Sequence, residues 1–78
     1  MCTKIISIPN INTAKNFVNM ASKYMNLKIM LTCEDYEIDG HSIMGILSLN
    51  MDKPIELVTD ENCPQEFLND ISNYEIKQ

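Results

Sequence analysis

HSIMGILSL, residues 41–49, is the stretch from which the architecture can be read in both directions. Ile43, Ile46 and Leu47 recur at helical spacing, and Ser42 stands directly ahead of them, where its hydroxyl can accept a hydrogen bond from an unpaired amide of the first turn. A short helix with Ser42 at its N-cap is predicted. Such a helix cannot hide every side, so Ile46 and Leu49 are assigned to the core and Met44 and Leu47 to the surface. Upstream, Gly40 breaks the pattern. Before it Tyr36 and Ile38 alternate with acids, as on a strand with one wet face, and LKIMLTC, residues 27–33, reads as the strand that pairs with it across a turn at Glu34-Asp35.

Further upstream, Ala14, Phe17, Val18, Ala21, Tyr24 and Met25 fall at spacings of three and four, with Lys15, Asn16, Asn19 and Lys23 away from that stripe. This is a long amphipathic helix with Asn12 or Thr13 as its cap. TKIISI, residues 3–8, is a first strand closed by Pro9-Asn10. Downstream, Asn50 to Lys53 is polar turn and Pro54 to Thr59 a fourth strand. Pro64 then sits in the first turn of a helix whose buried stripe is Phe67, Leu68, Ile71 and Tyr74. The order is β-α-β-β-α-β-α. Two long helices with one apolar face each are buried most simply on the same side of a four-stranded sheet, which makes this an α+β fold.

Composition narrows the function. The chain of 78 residues predicts one small domain, and a chain this short hides only about 60% of its unfolded surface. Eleven acids against six lysines and no arginine give a net charge of −5, which repels phosphate backbones and anionic lipid alike. Nucleic acid and membrane are therefore not expected as partners, and a monomer is expected. The N-terminus, MCTKIISIPN, lacks a long hydrophobic region and a small-residue cleavage site, so the cytoplasm is the expected compartment. Cys2, Cys33 and Cys63 form no Cys-x-x-Cys pair and are expected as reduced thiols. No metal is expected: Asp35, Glu37, Asp39 and Gly40 copy the first half of a calcium loop, but the position for the bidentate glutamate is Ile46. The carboxylates of Glu34, Asp35, Glu37 and Asp39 read as a solvated rim. No carboxylate pair, serine with a histidine base, or glycine-rich phosphate loop is apparent, so neither an enzyme nor a cofactor is expected.

The element order, with HSIMGILSL at 41–49 and MASKY at 20–24, resembles HPr, the histidine-containing phosphocarrier of the bacterial sugar phosphotransferase system. The resemblance covers nearly the whole chain. It implies an open-faced β-sandwich whose four-stranded antiparallel sheet has the order 1-4-2-3 with helices on one face. Ser-Ile-Met-Gly is its most specific piece. In Gram-positive members that serine is phosphorylated by a dedicated kinase, which makes Ser42 the candidate regulatory site. Ile43, Met44 and Leu47 would form the patch beside it that in the family docks kinase, donor enzyme and repressor.

The chain departs from the family where the catalytic histidine belongs. The family's Gly-x-His-x-Arg-Pro-Ala pattern at the start of the first long helix is replaced here by PNINTAKNF, residues 9–17, without histidine, arginine or glycine. The connection is about five residues shorter than the family's. Asn10, Asn12 and Thr13 mark what is left of the loop. His41, the one histidine, adjoins another helix N-terminus but corresponds to a variable position and reads as an exposed turn residue. The expected function is a regulatory binding protein that does not carry phosphate on histidine and offers Ser42 and its patch to an HPr-type serine kinase or a transcription regulator. The alternative is a non-phosphorylated structural adaptor that keeps only the fold and its helix face.

Overall fold

The computed structural model describes residues 2–50, 52–60 and 62–76. Four strands, β1 (Cys2–Ile6), β2 (Ile29–Cys33), β3 (Tyr36–Asp39) and β4 (Ile55–Thr59), form one antiparallel sheet in the order β1-β4-β2-β3. Three α-helices, α1 (Ile11–Ala21), α2 (Ile43–Leu47) and α3 (Gln65–Ile71), complete the α+β fold, with a 3-10 turn at Ser22–Tyr24. The register explains the alternation in the sequence. Lys4, Leu57, Leu31 and Ile38 lie side by side on one face, and Ile5, Glu56, Thr32 and Glu37 on the other. On the first face Ile6, Ile29, Leu31, Ile55 and Leu57 are fully buried against Phe17, Ala21, Ile46, Phe67 and Ile71 of the helices. Burying one such Leu, Ile or Phe side chain stabilises the fold by about 1.5–3 kcal/mol, set against a backbone entropy cost of similar size per residue.

Several local features differ from the periodicity. The N-cap of α1 is Asn10, not Asn12 or Thr13, because the Asn10 side chain is the one that reaches the Thr13 amide. Helix α1 ends at Ala21, and the tighter 3-10 turn after it rotates the chain, so Met25 is 67% exposed; Met20, still within α1 and flanking the stripe, is buried. β1 stops at Ile6, although Ile8 beyond it is buried. The outer edge of β1 is covered by the C-terminal segment: Ser7 N donates to Tyr74 O at 2.8 Å, Ile76 N donates to Ile5 O at 3.2 Å, and Lys4 pairs with Glu75 at 3.7 Å.

The cysteines require a correction. Cys33 is a buried free thiol, but Cys2 and Cys63 are joined as a disulfide rather than standing as separate thiols. Cys2 pairs in register with Thr59, and the Thr59 hydroxyl lies 3.7 Å from the Cys63 sulfur. A separation of 61 residues along the chain conceals this closeness.

Candidate functional site: the α2 face and the first turn of α1

Ser42 is placed by a chain of backbone bonds that begins on the sheet. Gly40 N donates to Ile29 O at 2.8 Å, Ser42 N donates to Asp39 O at 3.0 Å, and the Asp39 carboxylate accepts His41 N at 2.9 Å. A Cβ at Gly40 would lie 2.5 Å from Ile29 Cγ2, so only glycine lets the chain pass this close to β2. Ser42 is then extended, with φ −104°, and its hydroxyl oxygen accepts Gly45 N at 3.1 Å while its carbonyl accepts Ile46 N at 3.0 Å. Glycine at 45 also has a packing reason: a Cβ there would meet Ile38 Cβ at 3.3 Å and the Ser42 hydroxyl at 3.4 Å. The Ser-Ile-Met-Gly string is thus a cap, two side chains and the small residue that seats α2 on β3.

Ile46 of this helix and Leu49 just beyond it enter the core, while Met44 is 75% and Leu47 37% exposed. Ile43 is half-buried and packs against the core, so the outward part of the expected patch is Met44 and Leu47. The acids Glu34, Asp35, Glu37 and Asp39 are all exposed along the hairpin.

At the first turn of α1, Asn10 Oδ1 accepts both Thr13 N at 2.8 Å and Thr13 Oγ1 at 2.9 Å. Asn12 is exposed, and so is the apolar Ile11, at 54%. Amides at a helix start attract anions, but here a neutral carboxamide of the chain occupies that place. Thr59 faces both Cys2 and Ile29, and Gly40 bonds to Ile29, so Ser42 lies at the end of the sheet where β1 starts. Asn10 follows the end where β1 finishes.

His41 is not a free turn residue. Its Nε2 lies 3.0 Å from Leu27 O, and since a carbonyl only accepts, Nε2 is the donor of that bond. Nδ1 is buried without a hydrogen-bond partner among the described residues. The tether was invisible in the sequence because Leu27 lies 14 residues upstream, ahead of β2.

A polar cluster that periodicity missed joins the 3-10 turn after α1 to α3. Tyr24 donates its phenol to Asp70 at 2.7 Å, Lys23 pairs with the same carboxylate oxygen at 3.1 Å, and the Tyr24 ring packs edge-on against Phe67 at 5.0 Å. Burial, and then the bond to Asp70, push the Tyr24 phenol up to about 12. The bond from Tyr24 and the ammonium of Lys23 hold the Asp70 carboxyl below its usual value. Burial raises the Tyr74 phenol as well.

The family model described as the PTS HPr component phosphorylation site matches residues 10–74, and the chain belongs to the HPr family. It is therefore an HPr-like protein related to the phosphotransferase system, in a family of phosphocarriers that work with other proteins of that system. HPr-C-His from Thermoanaerobacter tengcongensis has a crystal structure similar to this chain at 25% identity and a TM-score of 0.76, over 94% of this chain and 89% of that one. The phosphocarrier protein HPr from Bacillus anthracis str. Ames shares the fold at 21% identity with a TM-score of 0.72, over 96% of each chain. No curated protein matches the chain in sequence. No described helix is long and apolar enough to cross a membrane.

Proposed function

We propose that this chain is a cytoplasmic regulatory binding protein of the phosphotransferase type, phosphorylated on Ser42 by an HPr-type serine kinase and read by a protein partner such as a transcription regulator. It does not relay phosphate through histidine. The observation that carries the reading is the Ser42 cap: its hydroxyl oxygen faces the amide of Gly45, with the exposed Met44 one turn position away. A phosphate there adds about −1.5 to −2 charge facing a helix start, a placement the fold tolerates. Its effect falls on partners, because Met44 and Leu47 supply an adaptable apolar surface beside it. Against a histidine relay stand the stretch 9–17, without an imidazole, and the placement of His41, with Nε2 engaged and Nδ1 buried.

The purified chain incubated with an HPr-type serine kinase and ATP gains the mass of one phosphate. Ser42→Asn, which keeps a capping side chain but no hydroxyl, gains none. Absence of the mass shift in the wild type ends the phosphoserine reading, and a partner captured equally by wild type and Ser42→Asn favours the adaptor instead. Incubation with phosphoenolpyruvate and the family's donor enzyme leaves the mass unchanged; an acid-labile phosphate lost in His41→Ala overturns the claim about histidine.

A further inference from the structure

Cys2 opens β1 and Cys63 stands at the approach to α3, with their sulfurs bonded and their α-carbons 5.9 Å apart. That spacing lies within the usual range for a bridge. The backbone brings the two together: Cys2 is the register partner of Thr59, and Thr59 Oγ1 is 3.7 Å from Cys63 Sγ. Both cysteines are half-buried and within reach of a small solute, whereas Cys33 is 2% exposed. Ile6 of β1 and Phe67 and Ile71 of α3 are fully buried in the common core, so these elements are held there by packing as well as by the bond.

We infer that Cys2 and Cys63 form a thiol-disulfide exchange site whose co-substrate is a low-molecular-weight disulfide of the glutathione type, and that their bond is a reversible clasp between the first strand and the approach to the last helix. In closing, one cysteine thiolate attacks a sulfur of the small disulfide, giving a mixed disulfide and one small thiolate, which takes up a proton. The thiolate of the other cysteine then attacks the protein-bound sulfur, forming the Cys2–Cys63 bond and releasing the second small thiol. Two protein thiols are oxidised and one small disulfide is reduced to two thiols. Excess thiol runs the exchange backwards, so the clasp is open in a thiol-rich compartment and closes under oxidation. β1 and β3 are the two edge strands, so the exchange acts on the start of β1 and the approach to α3, across the sheet from the β3 edge that leads into α2. The inference is independent of the regulatory reading of Ser42.

The full chain is equilibrated in buffers of graded oxidised-to-reduced glutathione ratio, trapped with a maleimide under native conditions and weighed. Two labels at the reducing end fall to none at the oxidising end in one step, and Cys33 takes a label only after denaturation. The reduced chain keeps its far-ultraviolet circular dichroism but melts about 10 °C or more below the oxidised one. The Cys2→Ser, Cys63→Ser double variant melts at one temperature in both buffers. Two accessible thiols at every ratio, glutathione adducts that never resolve, or a bond that opens only with global unfolding each overturn the proposal.

Discussion

The carboxamide oxygen of Asn10 lies 2.8 Å from the amide nitrogen and 2.9 Å from the hydroxyl of Thr13, so α1 starts on an acceptor supplied by its own chain. Asn10→Ala removes that acceptor and costs about 0.5–2 kcal/mol in urea unfolding. Asn10→Asp restores it and adds a charge at the positive end of the helix, so it unfolds at no lower urea concentration than the wild type. Equal midpoints for Asn10→Ala and wild type would show that the cap is unimportant.

Ser42 does for α2 what Asn10 does for α1, accepting Gly45 N at 3.1 Å. Ser42→Ala loses about 1 kcal/mol, while Ser42→Asp retains the cap and stays within about 0.5 kcal/mol of the wild type. Chemical denaturation of the three proteins side by side separates this structural duty from any role in phosphorylation.

The Tyr24–Asp70 bond sets the response to pH at both extremes. The Asp70 carboxyl is lowered in the folded chain by Tyr24 and Lys23, so its contribution is present above the unfolded carboxylate value of about 3.9 and is lost as pH falls through the lower folded value. The Tyr24 phenol is raised to about 12, so its contribution is complete below the unfolded value and is lost as pH rises towards 12. Unfolding free energy measured against pH falls at both ends. In Tyr24→Phe the alkaline fall shrinks; a fall as steep as in the wild type contradicts the assignment.

Gly40 and Gly45 are not equivalent. A methyl at 40 meets Ile29 Cγ2 at 2.5 Å and Ile29 O at 3.2 Å, and the backbone bond from Gly40 to Ile29 prevents retreat. Gly40→Ala therefore costs about 1–3 kcal/mol. At 45 the nearest atom is 3.3 Å away, and the gain in helix propensity offsets the squeeze, so Gly45→Ala costs less. The order of the two melting temperatures is the check.

Glu34 has φ 56° in the two-residue connection between β2 and β3. A side chain other than glycine is strained there. Glu34→Gly relieves the strain and raises stability by about 0.5–1 kcal/mol after the added freedom of the unfolded chain is subtracted. Differential scanning calorimetry showing a lower melting temperature for the variant rules the strain out.

Local patterning was enough to order the elements. The alternation of Tyr36 and Ile38 with acids placed β3, the spacing of Ile43, Ile46 and Leu47 placed α2 behind its Ser42 cap, and the stripe of Phe67 and Ile71 placed α3. Each of these signals lies within a few residues, where the repeat of a strand or helix imposes it. The exposure of Met25 was illegible because a helix stripe predicts sides only while the helix continues, and a 3-10 turn ends it at Ser22.

The order of apolar and polar residues along this chain was sufficient for the order of its secondary elements and for most of their buried faces, and the strings at 41–49 and 20–24 carried the resemblance to HPr. Folding in space added the contacts between distant segments. Tyr24 meets Asp70 across 46 residues, Cys2 meets Cys63 across 61, and His41 reaches Leu27 across 14. Periodicity repeats within one element and carries no information about which element will lie opposite. That pairing follows from strand register and helix packing, and so the Tyr24–Asp70 bond, the Cys2–Cys63 bond and the His41–Leu27 contact became visible only in the folded chain.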